Sequence, residues 1–153
     1  MSGVETPSLV SELSRPLRVA ADEGRHAKIE PGYLSARLMR HGSMELRWYA
    51  PQGSDPQLPH DRDELYFIVS GHGVFMRTEE KLPFGEDRTM LLEGVRRVSV
   101  QPGDALFVPA GTEHRFESMS SDFGAWIVFY GPEGGERPCD QAACTRTEEI
   151  EAP

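Results

Sequence analysis

The sequence predicts an all-β protein, a closed barrel or a two-sheet jelly roll. Three observations carry this: many short apolar or alternating segments, Gly- and Pro-rich turns between them, and no long amphipathic helix. The first fifteen residues are mixed and polar. Ser8–Leu13 reads as a short helix with Ser8 as cap, ended by Pro16. Leu17–Ala20 reads as a short strand against a barrel edge, and Asp22–Pro31 as a charged, turn-like stretch with His26 as a solvated loop histidine. Two strands follow, Tyr33–Arg40 and Met44–Ala50, joined at His41-Gly42-Ser43, where His41 is expected to be exposed. Pro51–Pro59 is a loop rich in Pro, Gly, Ser and Asp.

Leu65–Val69 is continuously apolar, so both of its faces are expected to be covered. Gly71-His72-Gly73 reads as a tight turn with His72 exposed at its tip, and Val74–Arg77 as the returning hairpin partner. Glu79–Arg88 is a charged loop in which Pro83-Phe84-Gly85 is expected to fold over an opening. Met90–Leu92 and Val95–Val100 are expected to form a hairpin about Glu93-Gly94. After the turn Gln101–Asp104 come a short buried strand, Ala105–Val108, and the strands His114–Met119 and Phe123–Tyr130. In the last of these Trp126, Val128 and Tyr130 share one face, and Ala125, Ile127 and Phe129 the other. The organisation expected is an N-terminal arm with short strands (1–40), a barrel (41–131) and a flexible acidic tail (132–153).

A chain of 153 residues suits one domain able to bury a core without disulfides. The 25 acidic and 16 basic residues give a net charge of -9, and no basic run exceeds Arg96-Arg97, which argues against nucleic acid and anionic membrane as partners. No basic segment leads into an apolar core at the N-terminus, and no apolar run approaches the ~20 residues needed to span a bilayer, so a cytoplasmic protein is expected. Cys139 and Cys144 lie in the polar tail. A bridge there would close a tiny loop, and no further zinc ligands lie nearby, so free thiols are expected.

The chemistry concentrates in two blocks. Pro59–Gly71 places His60 and Glu64 four residues apart ahead of the apolar strand. If the segment stays extended, both lie on one face with Tyr66 and Ile68. Gly103–His114 carries the second histidine. Converging, the blocks offer His60, Glu64 and His114 to one metal ion. Two imidazoles and a carboxylate leave open positions on a divalent transition metal and suit Fe, Mn, Ni or Zn.

These blocks resemble the paired motifs of the cupin superfamily over about residues 44–131. His60, Glu64 and Gly71 match the second His, the Glu and the Gly of His-x-His-x3-Glu-x6-Gly. Gly103, Pro109, Gly111 and His114 match Gly-x5-Pro-x-Gly-x2-His-x3-Asn, with Ser118 where Asn is common. The resemblance implies a cupin-type double-stranded β-helix with a metal site inside, and a homodimer, for which residues 8–40 are the natural contributor. Leu58 stands where the first His of the first motif belongs, so the family's ligand set drops to three. Gln57 is a candidate replacement: its parity is wrong for an undistorted strand, but Pro59 can bend the chain. The alternative is that Gln57 hydrogen-bonds a loop. The alternatives for the others are a salt bridge of Glu64 with Arg62 or Arg115, a bond from His114 to a backbone carbonyl, and core packing of Tyr66 and Trp126.

Register decides which of Arg47, Tyr49, Tyr66, Phe75 and Trp126 faces a pocket. Three functions stay open at this point. One is a metal-dependent enzyme acting on a small organic molecule, such as a dioxygenase. Another is a non-redox isomerase, cyclase or lyase. The third is a ligand-binding barrel without catalysis. No organic cofactor site and no catalytic group beyond the metal ligands is identified.

Overall fold

The computed structural model describes residues 16–79 and 94–137. Two antiparallel sheets face each other. The larger contains β1 (Ala36–His41), β2 (Met44–Tyr49), β3 (Asp63–Ser70), β6 (Ala105–Val108) and β8 (Gly124–Tyr130), in the order β1-β2-β8-β3-β6. The smaller contains β4 (Gly73–Glu79), β5 (Gly94–Val100) and β7 (His114–Glu117), in the order β5-β4-β7. This is the all-β jelly roll expected. Its core lies between the sheets, where Tyr66, Ile68, Phe75, Phe116, Ala125 and Ile127 are buried. Alternation along β8 assigns the faces as expected: Ala125 and Ile127 point into the core, while Trp126 lies on the outside.

Several local expectations are corrected. Leu17–Ala20 forms no strand, and Ala21–His26 is a helix, α1, whose first amide at Ala20 donates to Glu23 Oε2 (2.6 Å). Its Gly24 lies on the outer-face ring of Trp48, so close that a Cβ would stand 2.8 Å from that ring. The helix thus covers the back of β2, a tertiary preference that its charged sequence does not advertise. Gly71 does not join a hairpin: β4 leaves the sheet of β3 and pairs with β5 and β7. β5 begins at Gly94, which pairs with Glu79 instead of turning the chain. The two faces of β3 are unequally covered. Glu64, Tyr66 and Ile68 are buried while Phe67 is 43% exposed. β6 is half-exposed at the sheet edge, with Ala105 and Phe107 outward.

The arm supplies β1, the edge strand against β2. The chain past Gly131 folds back: Gly134 N donates to Asp61 O (2.6 Å) and Glu136 N to Asp63 Oδ2 (2.8 Å). The expectations for Ser8–Leu13, Pro83–Gly85, Met90–Leu92, Cys139 and Cys144 lie outside the described residues. His26, His41 and His72 are exposed. Among the described residues no helix is long and apolar enough to cross a membrane.

Ser118 is the described non-glycine residue with positive φ, 53°. That left-handed conformation is one Asn tolerates better than Ser, because its side chain bonds locally. Ser118→Asn is therefore expected to raise unfolding stability by a few tenths to about 1 kcal/mol, read from the urea midpoint at unchanged slope.

Candidate metal centre

Each donor is placed by a different part of the fold. Glu64 is the second residue of β3, flanked by Phe129 of β8 and Val108 of β6, and its side chain is fully buried. His114 opens β7 in the facing sheet, opposite Arg77. His60 comes from the loop before β3, so strand alternation does not place it. A backbone bond holds it against the second block: Gly111 N donates to His60 O (2.6 Å). Gly111 can do so because it takes φ +78°, a left-handed turn that glycine makes at no steric cost. Asp63 reinforces the junction by accepting from Ala110 N (2.9 Å). These contacts give the Pro-x-Gly spacing before His114 a physical meaning: the turn docks one block on the other.

His60 Nε2 lies 2.6 Å from Glu64 Oε2, His114 Nε2 lies 3.1 Å from that same oxygen, and the two Nε2 atoms are 3.3 Å apart. Each imidazole has its other nitrogen on a backbone carbonyl: His60 Nδ1 donates to Arg62 O (2.9 Å) and His114 Nδ1 to Thr112 O (2.8 Å). In the neutral ring this fixes the tautomer and leaves Nε2 with a lone pair. Three electron-rich atoms therefore meet at one point, an arrangement that demands either a shared proton or a cation. Glu64 Oε1 is buried without a hydrogen-bond partner among the described residues, a second sign of a missing positive group. A transition metal about 2.1 Å from each donor would hold neighbouring ligands about 3 Å apart. The 3.1 and 3.3 Å separations already match this; only the 2.6 Å contact would have to open. The residues fit a metal.

The electrostatics agree. Burial pushes the Glu64 carboxyl up, but the bonds from His114 and His60 outweigh it and hold the group below the usual carboxylate range. Burial lowers His60, yet the Glu64 bond and charge prevail and its pKa lies above 6.5. The salt bridges open to Glu64 are not made: Arg62 contacts Ser43 O and Glu45, and Arg115 contacts Glu113 and Glu117.

A cavity of about 310 Å³ reaches the cluster; Arg47, Tyr49, Gln57, His60, Glu64 and Phe129 line it, with Tyr33 and Leu58 near its mouth. Arg47 is 2% exposed, and its guanidinium donates to Ser35 Oγ (2.7 Å), Ser35 O (2.8 Å) and Glu45 (2.9 Å). Tyr49 donates to Asp55. The Tyr66 hydroxyl lies 3.1 Å from His114 Nε2 and donates to Gln57 Oε1 (2.8 Å). Gln57 stands beside the cluster with its amide between Tyr66 and Asp55. Its strand parity is moot, because residues 50–62 form a loop. Phe75 packs in the core with its ring centroid 6.2 Å from that of His114. Trp126 is separated from the cavity, packed edge-on to Trp48 at 4.8 Å on the outer face. Sequence reasoning missed Asp55 and Phe129. No motif marks the first, and the second is reached only through the register with Glu64.

Comparison with known proteins adds a family, related sequences and related folds. A family model described as Cupin domain matches residues 45–130. An uncharacterized protein of Streptomyces coelicolor is 31% identical over 72% of this chain and 90% of its own length. Acireductone dioxygenases of Exiguobacterium sibiricum and Pectobacterium atrosepticum are each 37% identical, over 37% and 49% of this chain; the matched part spans only 26% and 37% of those enzymes. In structure, a Bacillus halodurans protein superposes with a TM-score of 0.56 over 82% of this chain and 86% of its own at 17% identity. A Cupin 2 conserved barrel domain protein of Salinispora arenicola gives a TM-score of 0.50 over 76% and 88% at 16% identity. These likenesses show the fold.

Proposed function

The chain belongs to the cupin domain family, and on that premise we propose that it is a metal-dependent enzyme acting on a small organic molecule, with dioxygenase chemistry the favoured reaction. The observation that carries the reading is the convergence of three lone-pair donors, two of them fixed in tautomer, beside a small cavity that His60 and Glu64 line. The local likeness to acireductone dioxygenases supports the choice of reaction.

His60, Glu64 and His114 would hold the ion, which supplies Lewis acidity and, where it is iron, one-electron chemistry with dioxygen. The chain's own residues do the rest. Ile127 and Phe129 supply an apolar wall on which a carbon skeleton can pack. Phe129 also packs edge-on against the His60 ring, with centroids 4.9 Å apart, and limits its rotation. Arg47 offers fixed positive charge on the cavity wall, braced by Ser35 and Glu45, where it can orient an electron-rich substrate group.

The direct test is metal content followed by oxygen uptake. Protein reconstituted with Fe(II) is expected to retain about one equivalent per chain and to turn over acireductone, the first substrate to try, only in air. Equal turnover without oxygen would remove the dioxygenase assignment, and activity with Zn(II) would select a non-redox lyase or isomerase. No stoichiometric metal after reconstitution would leave a ligand-binding barrel. Homodimerisation is proposed with it, supported by the edge position of β1; a concentration-independent monomer mass would contradict it.

Metal affinity should also track pH. Both imidazoles must be unprotonated to bind. Because the Glu64 bond and charge raise His60 above the ordinary imidazole range in the metal-free protein, proton competition sets in at higher pH than for a free histidine and steepens as pH falls. Zn(II) dissociation constants measured from mildly alkaline to mildly acidic buffer are expected to rise throughout. A flat profile would show that these imidazoles are not the ligands.

A further inference from the structure

One side chain outside the donor cluster starts a chain of hydrogen bonds that ends beside it. The Asp55 carboxylate, in the loop before β3, accepts from four groups. Tyr49 hydroxyl and Gln57 N (3.2 Å) reach one oxygen, and Gln57 Nε2 (2.7 Å) and Phe116 N (2.7 Å) reach the other. A carboxylate in this role can only accept. Gln57 must therefore present its NH₂ to Asp55 and its oxygen to Tyr66. That oxygen also only accepts, so the Tyr66 hydroxyl points its hydrogen at Gln57 over 2.8 Å. What Tyr66 shows to His114 Nε2, 3.1 Å away, is a lone pair. The chain of bonds has one direction, and it keeps the one mobile hydrogen of Tyr66 off the cluster. A competing acceptor is close: Glu64 lies two residues back on the same buried face of β3, and its Oε2 stands 3.1 Å from His114 Nε2, which is itself 3.1 Å from the hydroxyl.

We propose that Asp55 is a positioning residue for the metal centre: through Gln57 it turns the Tyr66 hydroxyl hydrogen away from the donor atoms and so preserves their lone pairs for the cation. The inference rests on the metal-binding reading above. Asp55→Asn breaks the logic without changing side-chain size. An asparagine can offer NH₂ to Gln57, the glutamine amide can reverse, and the Tyr66 hydrogen is then free to turn to Glu64 or His114, where it competes with the metal.

The test is a double-mutant cycle on Co(II) affinity, read from the visible absorption of the bound ion, with full-length protein. Asp55→Asn is expected to weaken Co(II) about tenfold or more, in the range of other groups that act on ligands indirectly. In a Tyr66→Phe background, which has no hydroxyl hydrogen to misplace, the same substitution is expected to change affinity less than about twofold. Gln57→Leu serves as the second variant, because it frees the Tyr66 hydroxyl while leaving Asp55 its bonds to Tyr49 and Phe116. It should reproduce both the loss and its disappearance in the Tyr66→Phe background. Equal losses in the two backgrounds, or no loss in either single variant, would overturn the proposal. Failure of the unmodified protein to bind Co(II) would instead overturn the metal reading and this inference with it.

Discussion

Glu64→Gln is expected to weaken metal binding by at least about 100-fold, or about 2.8 kcal/mol, while the protein still folds. The substitution keeps the side-chain volume at a site that is fully buried between β6 and β8. It removes the negative charge that the two imidazoles share, and it can aim an NH₂ group into a space occupied by lone pairs. Circular dichroism would show the retained fold, and competition with a chromophoric chelator would give the affinity. An unchanged affinity would mean that Glu64 is a structural carboxylate and that any metal sits elsewhere.

Gly71→Ala is expected to produce the largest loss of stability, at least about 3 kcal/mol. Gly71 has φ +72°, where an L side chain costs about 1–2 kcal/mol by itself. Any Cβ there would also stand 2.6 Å from Phe123 Cα and 2.7 Å from Phe123 N. Those are backbone atoms of the residue just before β8, so they cannot rotate away. Gly71 is also where the chain crosses from the larger sheet to the smaller, and local adjustment would pull the two sheets out of register. Urea unfolding measures the effect, and a loss under about 1 kcal/mol would show that the crossing is pliable. The same substitution at Gly42, which has positive φ but nothing within 4 Å, should cost only the conformational part.

Much of the fold was legible because its signals are local. The β6 boundaries follow from an apolar run ended by Pro109. The faces of β8 follow from alternation, and the turn before His114 from glycine and proline at fixed places. What failed was pairing. Val74–Arg77 looked like the partner of β3 because a glycine turn separates them, but the sheet it joins is decided by which inward side chains it must cover. Phe75 meets Phe116 of β7 directly across the ladder.

The donors themselves were legible because two spaced motifs carry them. Their geometry was not, since His60 is held by a loop-to-loop bond from Gly111. Gln57 illustrates the limit most clearly. Strand parity was the only tool available from sequence, and the residue turned out to lie in a loop whose course is set by Asp55. The helix Ala21–His26 was missed because six residues with one glycine have no intrinsic helical signal; it forms where Gly24 can approach Trp48.

The most direct test of the account is an anomalous-difference map from crystals of metal-reconstituted protein, recorded at the absorption edge of the bound element. The expected result is a single strong peak within ligand distance of His60 Nε2, His114 Nε2 and the Glu64 carboxylate, with Tyr66 still bonded to Gln57. A map without a peak there, or refined side chains of His60 and His114 directed away from one another, would contradict it.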